Sequence, residues 1–301
     1  MTFTHDRARL GRIGVWSAPL RAIPGGELPA STAEALAELD ELGYGTLWVG
    51  GSPGPAEVEP LLAAAPRIRI ATGILSIWQH PADEVAAATA RMERAAPGRF
   101  LLGLGVGHAA LAPRYAKPYT AMVEYLDALD TAPDPVPPAR RILAALGPRM
   151  LALSAERAAG AHPYLVTPEH TAEARATLGP DALLAPDLKV VLDPDPERAR
   201  ATARTALAPY LGLTNYLRSI ARLGFGETDV ADGGSDRLID ALFAHGDPDR
   251  IRARVTEYLD AGADHIALNV ITGGPQGELP RRQWRELASA LEPGKDRADL
   301  T

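Results

Sequence analysis

The 301-residue chain contains no cysteine. That excludes disulfides, a thiolate nucleophile and any cysteine-ligated metal. Basic residues are in deficit, with 31 Lys and Arg against 38 Asp and Glu and a net charge of −7. This argues against nucleic acid as a partner, because such domains carry basic patches. No apolar run approaches the roughly 18 residues of a membrane span. The opening segment MTFTHDRARLGRIGVW has no apolar stretch of the kind a signal peptide needs. A soluble, cytoplasmic protein with no membrane partner is therefore expected. No H-x-H or H-E-x-x-H occurs, so no metal site is expected.

One further motif is missing. The stretch RFLLGLGVGH (99–108) resembles a dinucleotide-binding loop at first reading, since Gly103, Gly105 and Gly107 alternate. The fingerprint needs G-x-G-x-x-G opening a helix. Here the position three after Gly105 is His108, and Pro113 and Pro118 spoil the following turn. The stretch reads better as a buried strand whose end reaches a rim, with glycines that leave room for a ligand.

What the chain does have is a repeated grammar. LDELGYGTLWVGG (39–51), ERAAPGRFLLGLG (93–105), ERAAGAHPYLVT (156–167) and LDAGADHIALNV (259–270) each join a helix end, a glycine stop and an apolar run. Glycine past a helix end accepts the left-handed conformation, and short continuous apolar runs suit strands buried on both faces. Eight such strands are predicted, near 12–17, 46–50, 68–77, 99–106, 141–146, 162–167, 188–192 and 265–271. Helical patterns separate them, one opening on a capping box of Ser31 and Glu34. Hydrophobic residues make up 46% of the chain, enough for a large core. The expected fold is α/β, a (β/α)8 TIM barrel forming one domain over 1–301. A helical insertion, 194–247, lies between strands 7 and 8 over the face where barrel active sites sit.

On that face several strands run into proline-led helices: His80-Pro81, Gly147-Pro148, Thr167-Pro168 and Asp195-Pro196. Proline is pre-set for a helix start, and the free N–H groups there favour anions. Gly147 to Met150 is the best of these starts, with Arg149 adding charge and Thr167 a hydroxyl from the next strand. Plain capping explains any one of them equally well. His108 and His80 lie on the rim. His162 and His265 begin strands and read as structural, and His170 falls in a first helical turn facing solvent.

The segments GYGTLWVGG, ATGILSIWQHP, GRFLLGLGVGHAA, LAALGPRML, AHPYLVTPEHT, NYLRSIARLGF and AGADHIALNV, in this order and spacing, resemble the luciferase-like monooxygenase superfamily. They look closest to its actinobacterial F420-dependent oxidoreductases. The resemblance covers nearly the whole chain. It implies a barrel, usually a homodimer, that binds coenzyme F420 or FMN at the C-terminal face together with a small-molecule substrate. It also implies a non-prolyl cis peptide at Gly73–Ile74 under the flavin ring. Gly147, Pro148 and Thr167 match phosphate contacts. His108 falls where F420-dependent sugar-phosphate dehydrogenases place a proton-donating glutamate. Trp16, Ser17, Trp48, Ser76 and Trp78 could line the pocket; the tryptophans have barrel or interface packing as their alternative, and for Trp48 packing is the better reading. The Asp-His pair those dehydrogenases carry after strand 2 is replaced here by GGSPG (50–54), so a sugar phosphate is not supported. The expected activity is hydride transfer between F420 and a small organic substrate. The alternatives are an FMN monooxygenase using reduced flavin and oxygen, a flavin-binding barrel without turnover, and a flavin-free phosphate-binding lyase or isomerase.

Overall fold

The computed structural model describes residues 10–23, 26–109, 115–275 and 277–295. Its strands are β1 (Ile13–Ser17), β2 (Thr46–Val49), β3 (Arg69–Thr72), β4 (Leu75–Ser76), β5 (Phe100–Gly105), β6 (Arg141–Leu143), β7 (Gly160–Ala161), β8 (Leu183–Leu184), β9 (Asp187–Val191), β10 (Phe243–His245) and β11 (Ile266–Val270). Every pairing is parallel. The order runs β10-β9-β11-β1-β2-β3-β5-β6-β7-β8, with β4 beside β5. Only Ala185 and Pro186 separate β8 from β9. On one side of this segment the Leu183 and Ala185 N–H groups donate to the Ala159 and Ala161 carbonyls; on the other, Ala267 N–H donates to the Pro186 carbonyl. One extended segment is thus bonded along both edges, and the curled sheet meets itself as an eight-stranded barrel. Helices lie between successive strands, as the (β/α)8 pattern requires.

Each barrel strand has two buried faces. Ile13, Val15, Leu47, Val49, Ile70, Leu102, Leu104, Leu188, Val190, Ile266 and Leu268 join the core beneath the helices. The alternate positions Trp48, Ala71, Leu101 and Ala267 fill the barrel interior with Leu10, Ile142, Leu183 and Ala185. Both sets are apolar, so the two-residue period of a strand is hidden and the sequence shows continuous runs.

Several boundaries differ from the sequence reading. The sixth strand is centred on Gly160–Ala161 and its bonding ends at 162–163, where the His162 N–H donates to the Leu143 carbonyl and the Pro163 carbonyl accepts the Asp187 N–H, short of the expected 162–167. Pro163 has no N–H to extend the ladder, and Leu165 turns the chain at φ +53°. The seventh begins five residues early, at Leu183, and Pro186 splits it in two. The helix Ala30–Glu41 starts after Pro29 with no side-chain cap, so the Ser31–Glu34 capping box does not form. The 194–247 connection holds helices at Pro196–Leu211, Thr214–Arg222, Glu227–Val230 and Asp236–Leu242, and also strand β10, which pairs with β9. No described helix is long and apolar enough to cross a membrane.

Candidate active site

The ends of β3–β4 and β5 are neighbours, with Ser76 paired to Gly105. The Gly73–Ile74 peptide between β3 and β4 is cis, where the resemblance places one. Trp16 donates its indole N–H to the Gly73 carbonyl at 2.9 Å. Its ring lies against Gly50, where a Cβ would come within 2.1 Å of it. Trp16 thus fills the space that Gly50 leaves, whereas Gly51 faces Arg21 and Gly54 faces His80.

The glycines of β5 do not all leave room for a ligand. A Cβ at Gly103 would stand 1.9 Å from the Thr72 carbonyl oxygen, and one at Gly105 2.4 Å from Ile74 Cδ1. The Thr72 hydroxyl also donates to the Gly103 carbonyl at 2.7 Å and accepts the Gly103 N–H at 2.8 Å. These two glycines admit the chain's own neighbouring strand. Gly107 is different: its φ is +57° and a Cβ there would meet nothing within 4 Å among the described residues. Among the described residues, Gly107 is where the mouth is open.

His108 follows directly. It is half-buried, and its Nδ1 is buried with no hydrogen-bond partner among the described residues. Its ring packs on Tyr216 at 4.7 Å between centroids, tilted by 38°. Burial lowers its pKa below the ordinary 6.5, so the imidazole is neutral at pH 7. Tyr216 belongs to the insertion helix Thr214–Arg222, which is docked at both ends. Asn215 donates to the Gly107 carbonyl at 3.2 Å and to the Tyr115 hydroxyl at 3.3 Å. Arg222 donates to the Leu146 carbonyl at 2.9 Å. Trp78 joins the same wall, donating to the Val106 carbonyl at 2.6 Å and packing on Tyr115.

The helix Pro148–Arg157 starts at the end of β6, with Gly147 as N-cap and Pro148 at its first position. Gly147 accepts the Met150 and Leu151 N–H groups. Arg149 is exposed and stacks over the Tyr119 ring at 4.2 Å. Arg222 approaches from the insertion: a Cβ on Gly147 would lie 3.4 Å from its Nη1. Two guanidinium groups therefore stand at one helix start, and the sequence reading had only Arg149. Thr167 is placed otherwise. It is buried, and its Oγ1 accepts the His170 N–H as the N-cap of Pro168–Leu178. His170 is not solvated as expected: its ring is buried and its Nε2 donates to the Leu146 carbonyl at 3.1 Å.

A second cluster lies in the upper barrel interior. Lys189, on β9, donates to the Tyr164 hydroxyl at 2.5 Å. Its Nζ lies 4.2 Å from the Tyr164 ring centre, 5.3 Å from Tyr210 and 5.9 Å from Trp16. Asp187, two residues earlier on the same strand face, stands 3.9 Å from the ammonium. Burial pushes the Asp187 pKa up to about 6, against the pull of Lys189, Asn269 and the Leu165 backbone. Tyr164 and Tyr210 share a hydroxyl–hydroxyl bond of 2.8 Å.

The model of the luciferase-like monooxygenase family matches residues 12–265. The chain belongs to that family. Among solved structures, the family barrel superposes on the F420-dependent tetrahydromethanopterin reductase from Methanopyrus kandleri with a TM-score of 0.72 at 16% identity, over 94% of this chain and 99% of that one. An F420-dependent secondary alcohol dehydrogenase, solved with an F420-acetone adduct, gives 0.69 at 14% identity, over 95% and 99%. The oxygenating constituent of 3,6-diketocamphane monooxygenase from Pseudomonas putida, solved with FMN, gives 0.58 at 15% identity, over 92% and 96%. At these identities the likeness is one of fold. No curated protein sequence matches the chain.

In this luciferase-like barrel the signal for Lys189 and Asp187 was present in the sequence. DLKVV alternates charged and apolar residues within a buried strand, and charges two apart there must share the inner face. Asn215, Tyr216 and Arg222 carry no comparable signal, because their contacts are set by how the insertion folds back. Gly50 to Gly54 spells the G-x-S-x-G pattern of hydrolase elbows, and Ser52 has φ +54°. Its Oγ donates to Gln79 at 2.8 Å and accepts the Ser76 N–H at 2.9 Å. Ser52 therefore clamps the end of β2 to β4, with no histidine as its base.

Proposed function

We propose that this family member is an oxidoreductase that binds coenzyme F420 at the barrel mouth and exchanges a hydride with a small organic substrate, FMN being the alternative cofactor. The observation that carries the reading is His108: a neutral, half-buried imidazole with an unpartnered buried nitrogen, beside the open backbone of Gly107. The mouth suits a flat ring with an anionic tail. Gly73, Ile74, Ser76 and Gly107 would flank the ring. Gly147, Pro148, Arg149 and Met150 would hold a phosphate with Arg222, and Thr167, as the cap of Pro168–Leu178, would support that loop through His170, whose ring donates to the Leu146 carbonyl. When bound, the deazaflavin supplies the carbon that gives or takes the hydride. The chain's task is orientation and proton handling. A neutral His108 accepts the proton of a substrate alcohol and becomes an imidazolium, which returns that proton to the carbonyl oxygen in the reverse direction.

Titration of the protein with F420 and FMN, each oxidised and reduced and followed by fluorescence, tests the reading. Tight F420 binding with hydride transfer to a substrate panel is expected. Tighter FMN binding with oxygen uptake would favour the monooxygenase alternative, and binding without any turnover the storage role. Binding of neither would overturn the proposal. Arg149→Ala and Arg222→Ala should each weaken F420 binding by about 1–3 kcal/mol at low salt, the value of a charge-assisted hydrogen bond. Unchanged affinity in both would move the phosphate elsewhere. A homodimer is expected on gel filtration.

A further inference from the structure

Lys189 is 2% exposed. An ammonium has three N–H donors. Among the described residues one of them is used, at 2.5 Å on the Tyr164 hydroxyl. Asp187, at 3.9 Å, stands beyond hydrogen-bond length. The aromatic rings around the ammonium favour its charge but accept no conventional hydrogen bond from it. The Tyr164 oxygen takes the Lys189 donor and, at 3.4 Å, the Asn269 amide. Its own hydrogen is then directed to Tyr210. That leaves the Tyr210 hydroxyl hydrogen without an acceptor among the described residues. Three donors from neighbouring groups are therefore unmet: two on a buried cation and one on a polarised phenol. Tyr216 packs against both Tyr164 and Tyr210, and its other neighbour is His108. The unmet donors and the imidazole thus share one aromatic wall.

We infer that Lys189 and Tyr210 form a binding site for an anionic oxygen of the substrate, so that the protein takes small unsaturated or aromatic acids or enolates. This rests on the oxidoreductase reading for its placement, and it adds the substrate class. The flat rings of Trp16, Tyr164 and Tyr216 complement an unsaturated carbon frame. The ammonium and phenol meet its charged end.

The test needs no cofactor, so it stands apart from the F420 titration. Benzoate is the probe and benzamide its neutral counterpart. Binding is read on the purified full chain by tryptophan fluorescence, with Trp16 5.8 Å from Tyr164 as the reporter, and by calorimetry. Removing Lys189 alone would leave Asp187 buried without its cation, which destabilises a core. The informative variant is therefore the double substitution Lys189→Met with Asp187→Asn, checked for a parental melting transition. Tyr210→Phe is the second variant, on the insertion and away from the barrel core. The parent should bind benzoate saturably and more tightly than benzamide. The double variant should lose about 10- to 100-fold in benzoate affinity, the range of a lost charge-assisted hydrogen bond, and Tyr210→Phe a smaller part of it. Benzamide binding should stay level across all three proteins. The inference is overturned if the parent shows no saturable benzoate binding or fails to prefer it to benzamide. It is equally overturned if either a folded double variant or, should that fail to fold, Tyr210→Phe binds benzoate like the parent.

Discussion

Replacing His108 by glutamine is expected to lower turnover by roughly 10²- to 10⁴-fold, the usual share of general acid–base catalysis, while F420 affinity stays near that of the parent. Glutamine keeps a polar group of similar reach against Tyr216 but cannot take up a proton. The pH profile separates the two roles the ring could have. Burial places the His108 pKa below 6.5, so the parent should gain activity for alcohol oxidation as pH rises through that region. The variant should lack that limb. A ring that only packs would give a variant with parental turnover and a small change in stability, and that result would reduce His108 to a pocket wall. Loss of cofactor binding in step with turnover would instead assign it to holding the ring.

The barrel was legible because its connections repeat. Each glycine stop before an apolar run marks a helix end and a strand start, and a one-residue error in either leaves the count unchanged. Less legible was whatever depended on an edge being paired or broken. Pro186 removes one N–H from the middle of a strand, and propensity over DALLAPDLKVV cannot say that both halves continue one line. Phe243–His245 falls within the insertion expected to be helical, because its partner, β9, lies some fifty residues back. The site divides in the same way. His108 could be found from its place after a glycine-rich strand. That Gly103 and Gly105 serve Thr72 and Ile74, and only Gly107 opens to the mouth, depends on which atoms oppose each Cα. No spacing rule carries that information. Arg222 reaches Leu146 from 76 residues away, so a helix start that reads as weakly cationic in sequence is strongly so in three dimensions.

Acid should destabilise the barrel, beginning near pH 6.5, through two histidines in its lower interior. His265 is fully buried; its Nε2 accepts the Trp48 indole N–H at 3.0 Å and its Nδ1 donates to the Gly11 carbonyl at 2.7 Å. Both nitrogens are thus assigned, and a second ring proton would point straight at the indole N–H. His162 stacks on the face of Trp48, 4.1 Å between centroids and 8° from parallel. Its Nδ1 donates to the Ala185 carbonyl at 2.6 Å, and its Nε2 is buried without a partner among the described residues. Burial lowers the pKa of each to about 4. The unfolded chain, with histidines near 6.5, takes up protons first as pH falls. Their contribution is therefore complete above pH 6.5 and is lost progressively down to about pH 4, roughly 3 kcal/mol per ring at 1.36 kcal/mol per pH unit. Asp187 works the other way. Its raised pKa, about 6, means the folded state gains a proton early and recovers stability over part of the same window. The net slope of the parent is thus smaller than two histidines alone would give, and the comparison with a variant carries the test. His162→Phe keeps a flat ring on Trp48 and removes one of the two titrations. Urea unfolding at intervals from pH 7.5 to pH 4.5 should show the parent losing more stability than the variant, by up to about 3 kcal/mol at the acid end. Parallel curves for the two proteins would mean that His162 is not held neutral in the folded barrel.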